Sequence, residues 1–255
     1  MNLFYRTHGT LSNPVIVILH GLFGQSDNWQ TLGKKISEAG YYVVLVDERN
    51  HGLSPHSSEW NYELMANDVY VLMQTLGLQK INLLGHSMGG KVAMTMAYEH
   101  PYIIDKLVIA DIGPKQYPVH HGAILEALRA CVFTPTTTRK DIETLLTQRI
   151  PDVGTRQFLL KNLYWTTDNV LAWRFNLTAI TNNINSVGQE SLVNKVYNQP
   201  TLFMRGATSN YILNSDWQAI ETKFPQAELA TIANAGHWLH AEQPQAFYDA
   251  LMAYL

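Results

Sequence analysis

One hexapeptide limits the architecture more than any other stretch: Gly85-His86-Ser87-Met88-Gly89-Gly90. A short apolar run, Ile81-Asn82-Leu83-Leu84, leads into it, and a helix-favouring run over 91–97 leads out. Gly-x-Ser-x-Gly at a strand-to-helix turn is a nucleophile elbow. The turn holds the serine backbone in a strained conformation that only a tightly packed neighbourhood can maintain. Gly85 and Gly89 lack a Cβ, so strand and helix can approach closely on either side of Ser87. The hydroxyl then stands clear of the sheet above a helix N-terminus, and Ser87 becomes the candidate nucleophile.

Other segments repeat the strand–helix rhythm. Pro14 to Leu19 and Tyr41 to Val46 are continuous apolar runs rich in β-branched residues, as are the residues from Lys106 to Ala110. Strands buried on both faces read this way. Between them lie helical patterns. One starts near Asp27-Asn28 and is closed by Gly40; another opens near Asn61, repeats Leu64, Val69, Leu72 and Leu76, and stops at Gly77. Leu3 to Thr7 reads as a weak first strand. Alternation of this kind predicts a mostly parallel sheet with helices on both faces. From about Val119 to Tyr197 no buried strand is evident, and the segment reads as helical. The sheet pattern resumes at 201–204 and 228–232, and a last helix is expected over about 243–254. The expected domains are therefore a core over 1–118 and 198–255, and a helical cap over 119–197.

With 255 residues and 46% hydrophobic content, the chain can bury one sizeable core. Only 15% of residues are charged and the net charge is −3, which gives no basic patch for nucleic acid. Cys131 is the single cysteine and fits a reducing compartment. The first residues do not read as a signal peptide, and no apolar run is long enough for a membrane span. The expectation is a cytoplasmic protein, monomer or homodimer, with a small-molecule partner and no nucleic-acid or membrane partner. His120-His121 has no further ligands at metal spacing, so no metal is expected, and a serine nucleophile needs no organic cofactor.

Two groups should meet Ser87 at the carboxyl edge of the sheet. His237, just after the last predicted strand, is placed to take the serine proton and return it to the leaving group. Backbone N–H groups of Leu22 and Met88 are the expected oxyanion donors, with Phe23 as the substitute for Leu22. His20, His51 and His86 are read as structural. A carboxylate must hold the imidazole. The loop after Thr201–Met204 offers only Ser209 and Asn210, and an amide cannot replace a carboxylate. Asp111, at the end of the strand next to the elbow, is the preferred acid, with Asp216 left as the alternative. Ser209 is expected to hydrogen-bond Asp111 or His237. The cap should cover this edge. Most of its large rings must pack it onto the core; Phe133 and Trp165, with Phe23 from the core, are expected to face substrate.

Leu19-His20-Gly21, Asp47-x-Arg49-x-His51-Gly52-x-Ser54, the elbow and Gly236-His237 occur in this order. Together they closely resemble the α/β-hydrolase fold superfamily. More narrowly, the 87–91 segment, Ala110-Asp111-Ile112-Gly113-Pro114 and Arg205-Gly206-x-x-Ser209 look like the YbfF-type bacterial esterases, related to the mitochondrial ABHD11 hydrolases. The resemblance implies an α/β-hydrolase fold, with a helical cap inserted after the strand ending at Asp111. It implies Asp111 as the acid, a serine like Ser209 near the histidine, and hydrolysis of esters, extending to acyl-CoA thioesters. Two positions depart from the pattern: Asn210, where relatives often carry Asp, and Asn50, where Gly is usual. Carbon–carbon hydrolases and haloperoxidase-like enzymes use the same three residues, and a non-catalytic binding protein could share the scaffold.

Overall fold

The apolar runs become the inner strands of one seven-stranded sheet in the computed structural model, which describes residues 1–118, 121–191 and 194–255. Strand β1 (Tyr5–His8) is followed by β2 (Val15–Leu19), helix α1 (Gln30–Glu38), β3 (Tyr42–Val46) and α2 (Tyr62–Thr75). Then come β4 (Ile81–His86), α3 (Met88–Glu99) and β5 (Ile104–Ala110). The spatial order is β1-β3-β2-β4-β5, continued by β8 (Thr201–Gly206) and β9 (Ala227–Ile232). Only β1 runs antiparallel to its neighbour.

Alternate side chains serve the two faces. Val17, Leu19, Val44, Val46, Leu107 and Ile109 join the layer under α2, α3 and the cap. Ile16, Ile18, Val43, Leu45, Val108 and Ala110 join the opposite layer with Leu32 and Ile36 of α1. Phe247 and Leu251 of the last helix (Pro244–Tyr254) complete that layer. Both faces are thus dry, which explains why the strands show no polar alternation. The expected caps hold at α2, where the Asn61 side chain accepts Leu64 N–H at 2.8 Å. At α1 the helix begins later than expected, because Ser26–Trp29 forms a 3₁₀ turn first.

Between β5 and β8 lies the insertion. It contains α4 (Gly122–Arg129), α5 (Arg139–Arg149), α6 (Val153–Leu160), α7 (Leu177–Asn182) and the short α8 (Ile184–Val187). It is not purely helical: β6 (Leu163–Trp165) and β7 (Leu171–Trp173) form an antiparallel hairpin. Asn162 ties this segment to the core, donating from Nδ2 to the Phe23 carbonyl at 2.8 Å. Among the described residues, no helix is long and apolar enough to cross a membrane.

Candidate active site

Ser87 joins β4 to α3 with φ 53° and ψ −117°, a strained conformation for a residue with a side chain. Its N–H donates to the Ala110 carbonyl, continuing the sheet ladder into the turn. A Cβ on Gly85 would lie 2.2 Å from the Gly89 carbonyl oxygen, and one on Gly89 2.5 Å from that of His20. Neither position tolerates a side chain, so the bend and the glycines require each other.

The His237 ring, from the loop after β9, reaches Ser87: Nε2 lies 2.9 Å from the Ser87 oxygen. Its Nδ1 lies 2.8 Å from Asp111 Oδ2. Asp111 follows β5 with φ 50°, and its side chain is fully buried. The carboxylate has two further donors. Ser209 O–H donates to Oδ2, and Gly206 N–H donates to Oδ1 at 3.1 Å. Asp216 lies elsewhere: its Oδ2 pairs with the Lys115 ammonium and caps Leu213 N–H. The three side chains expected to act together are therefore brought together, and the alternative acid is not.

The donor loop after β2 is fixed from behind. His51 Nδ1–H donates to the Arg49 carbonyl at 2.9 Å, so its Nε2 accepts Phe23 N–H at 3.2 Å. Phe23 N–H is thereby occupied, whereas among the described residues neither Leu22 N–H nor Met88 N–H donates to a protein acceptor. His20 does the same job one turn away, donating to Gly21 O and accepting Glu48 N–H. Burial pushes His20 down to about 4 and His51 to about 3, so both rings are neutral, as these bonds require. Asp47 accepts Leu53 N–H and Arg49 pairs with Asp68, which locks the rest of the loop. The departure at Asn50 also has a structural account. Asn50 sits at φ 65°, which asparagine tolerates. Its side-chain oxygen accepts from Ser57 N–H and Asn176 Nδ2, and the second of these joins the core to the cap.

Two neighbours, Tyr211 and Tyr117, carry no readable signal in the sequence. Tyr211 stacks on the His237 ring, with centroids 4.0 Å apart and planes 18° apart. Burial, and then the Asp111 charge, push its phenol up to about 12. Tyr117 O–H donates to the Tyr211 carbonyl and accepts Gly113 N–H. His86 donates from Nε2 to the His237 carbonyl at 2.8 Å, and burial holds its ring neutral.

A cavity of about 500 Å³ opens over Ser87 and His237. Phe23 is in its lining, with Trp29, Phe158, Tyr211 and Trp238. Two expectations for the cap are corrected. Phe133 packs edge-on against Trp173 and borders a different depression, beside Arg129 and Leu177. Trp165 lies at the end of the β6–β7 hairpin, 46% exposed, and is not in the cavity wall. The segment reads as helical in the sequence, whereas a loop carries Phe133 and a hairpin carries Trp165. His120 lies outside the described residues. Among the described residues no three His, Cys, Asp or Glu side chains gather as a metal site.

The model of the α/β-hydrolase fold family matches residues 14–244. The chain belongs to the α/β-hydrolase fold family. It is 38% identical over 254 residues to the mouse protein named sn-1-specific diacylglycerol lipase ABHD11, covering 97% of this chain and 82% of that one. Esterase YbfF of Escherichia coli K12 is 36% identical over 246 residues, covering 96% of this chain and 94% of that one. A solved structure described as a marine microorganism esterase superposes with a TM-score of 0.96 at 38% identity, covering 100% of this chain and 99% of that one. The family resemblance read from the motifs thus extends through the cap.

Proposed function

We propose that this member of the family is a serine hydrolase that cleaves carboxylic esters of small to medium acyl groups through an acyl-serine intermediate. One observation carries the reading: Ser87, His237 and Asp111 form a continuous hydrogen-bonded chain, 2.9 and 2.8 Å long at its two links. Ser87 attacks the carbonyl carbon while its proton passes to His237 Nε2. Asp111 fixes the ring so that Nδ1 keeps its hydrogen, and stabilises the imidazolium. Leu22 and Met88 N–H groups receive the oxyanion. His237 then gives its proton to the departing alcohol as the acyl carbon–oxygen bond breaks. Water, deprotonated by the same ring, releases the acid. The steps are the same when sulfur leaves, so acyl-CoA thioesters fall within this chemistry. The names of the similar proteins, an esterase and a diacylglycerol lipase, agree with ester substrates.

Turnover of a p-nitrophenyl ester tests the assignment of the acid. Asp111→Asn is expected to lower kcat by about 10⁴, as loss of the carboxylate does in serine proteases. Asp216→Asn is expected to leave kcat within about twofold, as befits an ion pair remote from the reacting atoms. The reverse pattern would remove Asp111 from the mechanism.

A further inference from the structure

We propose that Ser87 divides the substrate by size, which narrows the acyl range above to its short end: the acyl group enters a small recess that takes little beyond acetyl or propionyl, and the bulk of the substrate is its alcohol. The proposal rests on the ester-hydrolase reading above. Two cavities meet at Ser87. The larger, of about 500 Å³, contains the His237 ring and extends past Trp29, Phe158 and Trp238. The smaller holds about 20 Å³; Met88, Ile112, Tyr62 and Val187 are among its lining residues, and His237 is not. A space of that size admits one or two water-sized groups.

The chemistry assigns the sides. As the bond between the acyl carbon and the alcohol oxygen breaks, that oxygen takes the proton from His237 Nε2, so it must lie on the His237 side. The carbonyl oxygen turns toward Leu22 and Met88 N–H. The acyl α-carbon is left the direction away from His237, where the recess opens. Two of its lining side chains are tied in place by hydrogen bonds. Tyr62 O–H donates to the Val187 carbonyl at 2.6 Å. Lys91, also in the lining, gives its ammonium to the Pro114, Lys115 and Gln189 carbonyls at 3.2, 2.7 and 2.9 Å. Lengthening the recess would break buried hydrogen bonds. The larger cavity has room for a bulkier group and also counts Gln157, Lys161 and Glu242 in its lining.

Two ester series read this directly: p-nitrophenyl acetate through octanoate at fixed alcohol, and methyl through naphthylmethyl acetates at fixed acyl group. From propionate to hexanoate kcat/KM is expected to fall by about tenfold or more, the scale of an overfilled apolar pocket. Along the acetate series it is expected to hold or rise. Val187→Ala should raise the hexanoate-to-acetate ratio by about tenfold, and Val187→Phe should lower the propionate-to-acetate ratio similarly. The wild-type series stands alone if either variant fails to fold. Hexanoate or octanoate preferred by the wild type, with Ser87 still labelled by a fluorophosphonate, would overturn the division and leave the ester reading intact. No turnover and no labelling of the folded protein would overturn both.

Discussion

Asp111 shows how much a single side chain is asked to do. Its carboxylate is sealed from water, yet it accepts from Ser209, Gly206 and His237 at once. Buried anions persist only when their oxygens are satisfied in this way. Ser209→Ala removes one charge-assisted bond, and a loss of about 1.5 kcal/mol in holding that carboxylate corresponds to about tenfold in kcat/KM. Steady-state kinetics should show that loss mainly in kcat, with Ser209→Thr restoring part of it. An unchanged kcat would mean that Gly206 N–H alone positions Asp111. The site residues legible in the sequence were those bound to backbone geometry: Ser87 by its flanking glycines, Asp111 and His237 by their places at strand ends. Tyr211 was not legible, because stacking on His237 depends on a loop path that no local pattern encodes.

Among the elements, the inner strands declared themselves because both faces of the sheet are covered, so each reads as an unbroken apolar run. The β6–β7 hairpin did not, since strands of three residues leave too short a pattern to count. That omission explains the misplacement of Trp165. Helix α3 has a second role beyond presenting Ser87. From it, the buried Lys91 reaches carbonyls on both connections to the cap: Pro114 and Lys115 on the way out, Gln189 on the way back. Burial lowers this ammonium to about 7, the cost of placing it where it can clasp both. Lys91→Met leaves three carbonyls without that donor. At about 2 kcal/mol for the net loss, the melting temperature should fall by about 4–8 °C for a chain of this size. KM should rise as the cap connections loosen. Calorimetry and ester kinetics check the two effects separately, and an unaltered melting temperature would deny the clasp any structural weight.

At the scale of the whole molecule, four histidines packed around the donor loop and the elbow are held neutral. His20, His51 and His86 are buried and His240 is partly buried, and burial pushes each below its ordinary value, His20 to about 4 and His51 and His240 to about 3. The unfolded chain binds protons at these positions below about 6.5, while the folded chain does not. Stability must therefore fall as pH drops from about 6.5 toward 4. Glu48 acts in the opposite sense: burial, then Asp47, raise its carboxyl well above the ordinary value. Its folded form keeps a proton that the unfolded chain releases above about 4.5, so its contribution is lost as pH rises. Four groups outweigh one in the shared window, so the melting temperature should decline steadily between pH 6.5 and 4.5. A flat profile across that range would show that these rings are hydrated.

The central claim concerns one oxygen atom and is best tested on it. The intact protein is treated with an alkyl fluorophosphonate, and its mass is measured before and after digestion. The account predicts a single adduct on the peptide containing Ser87, formed rapidly in the wild type, slowly in His237→Ala and not at all in Ser87→Ala. No adduct on the folded wild-type protein, or an adduct that persists in Ser87→Ala, would contradict it.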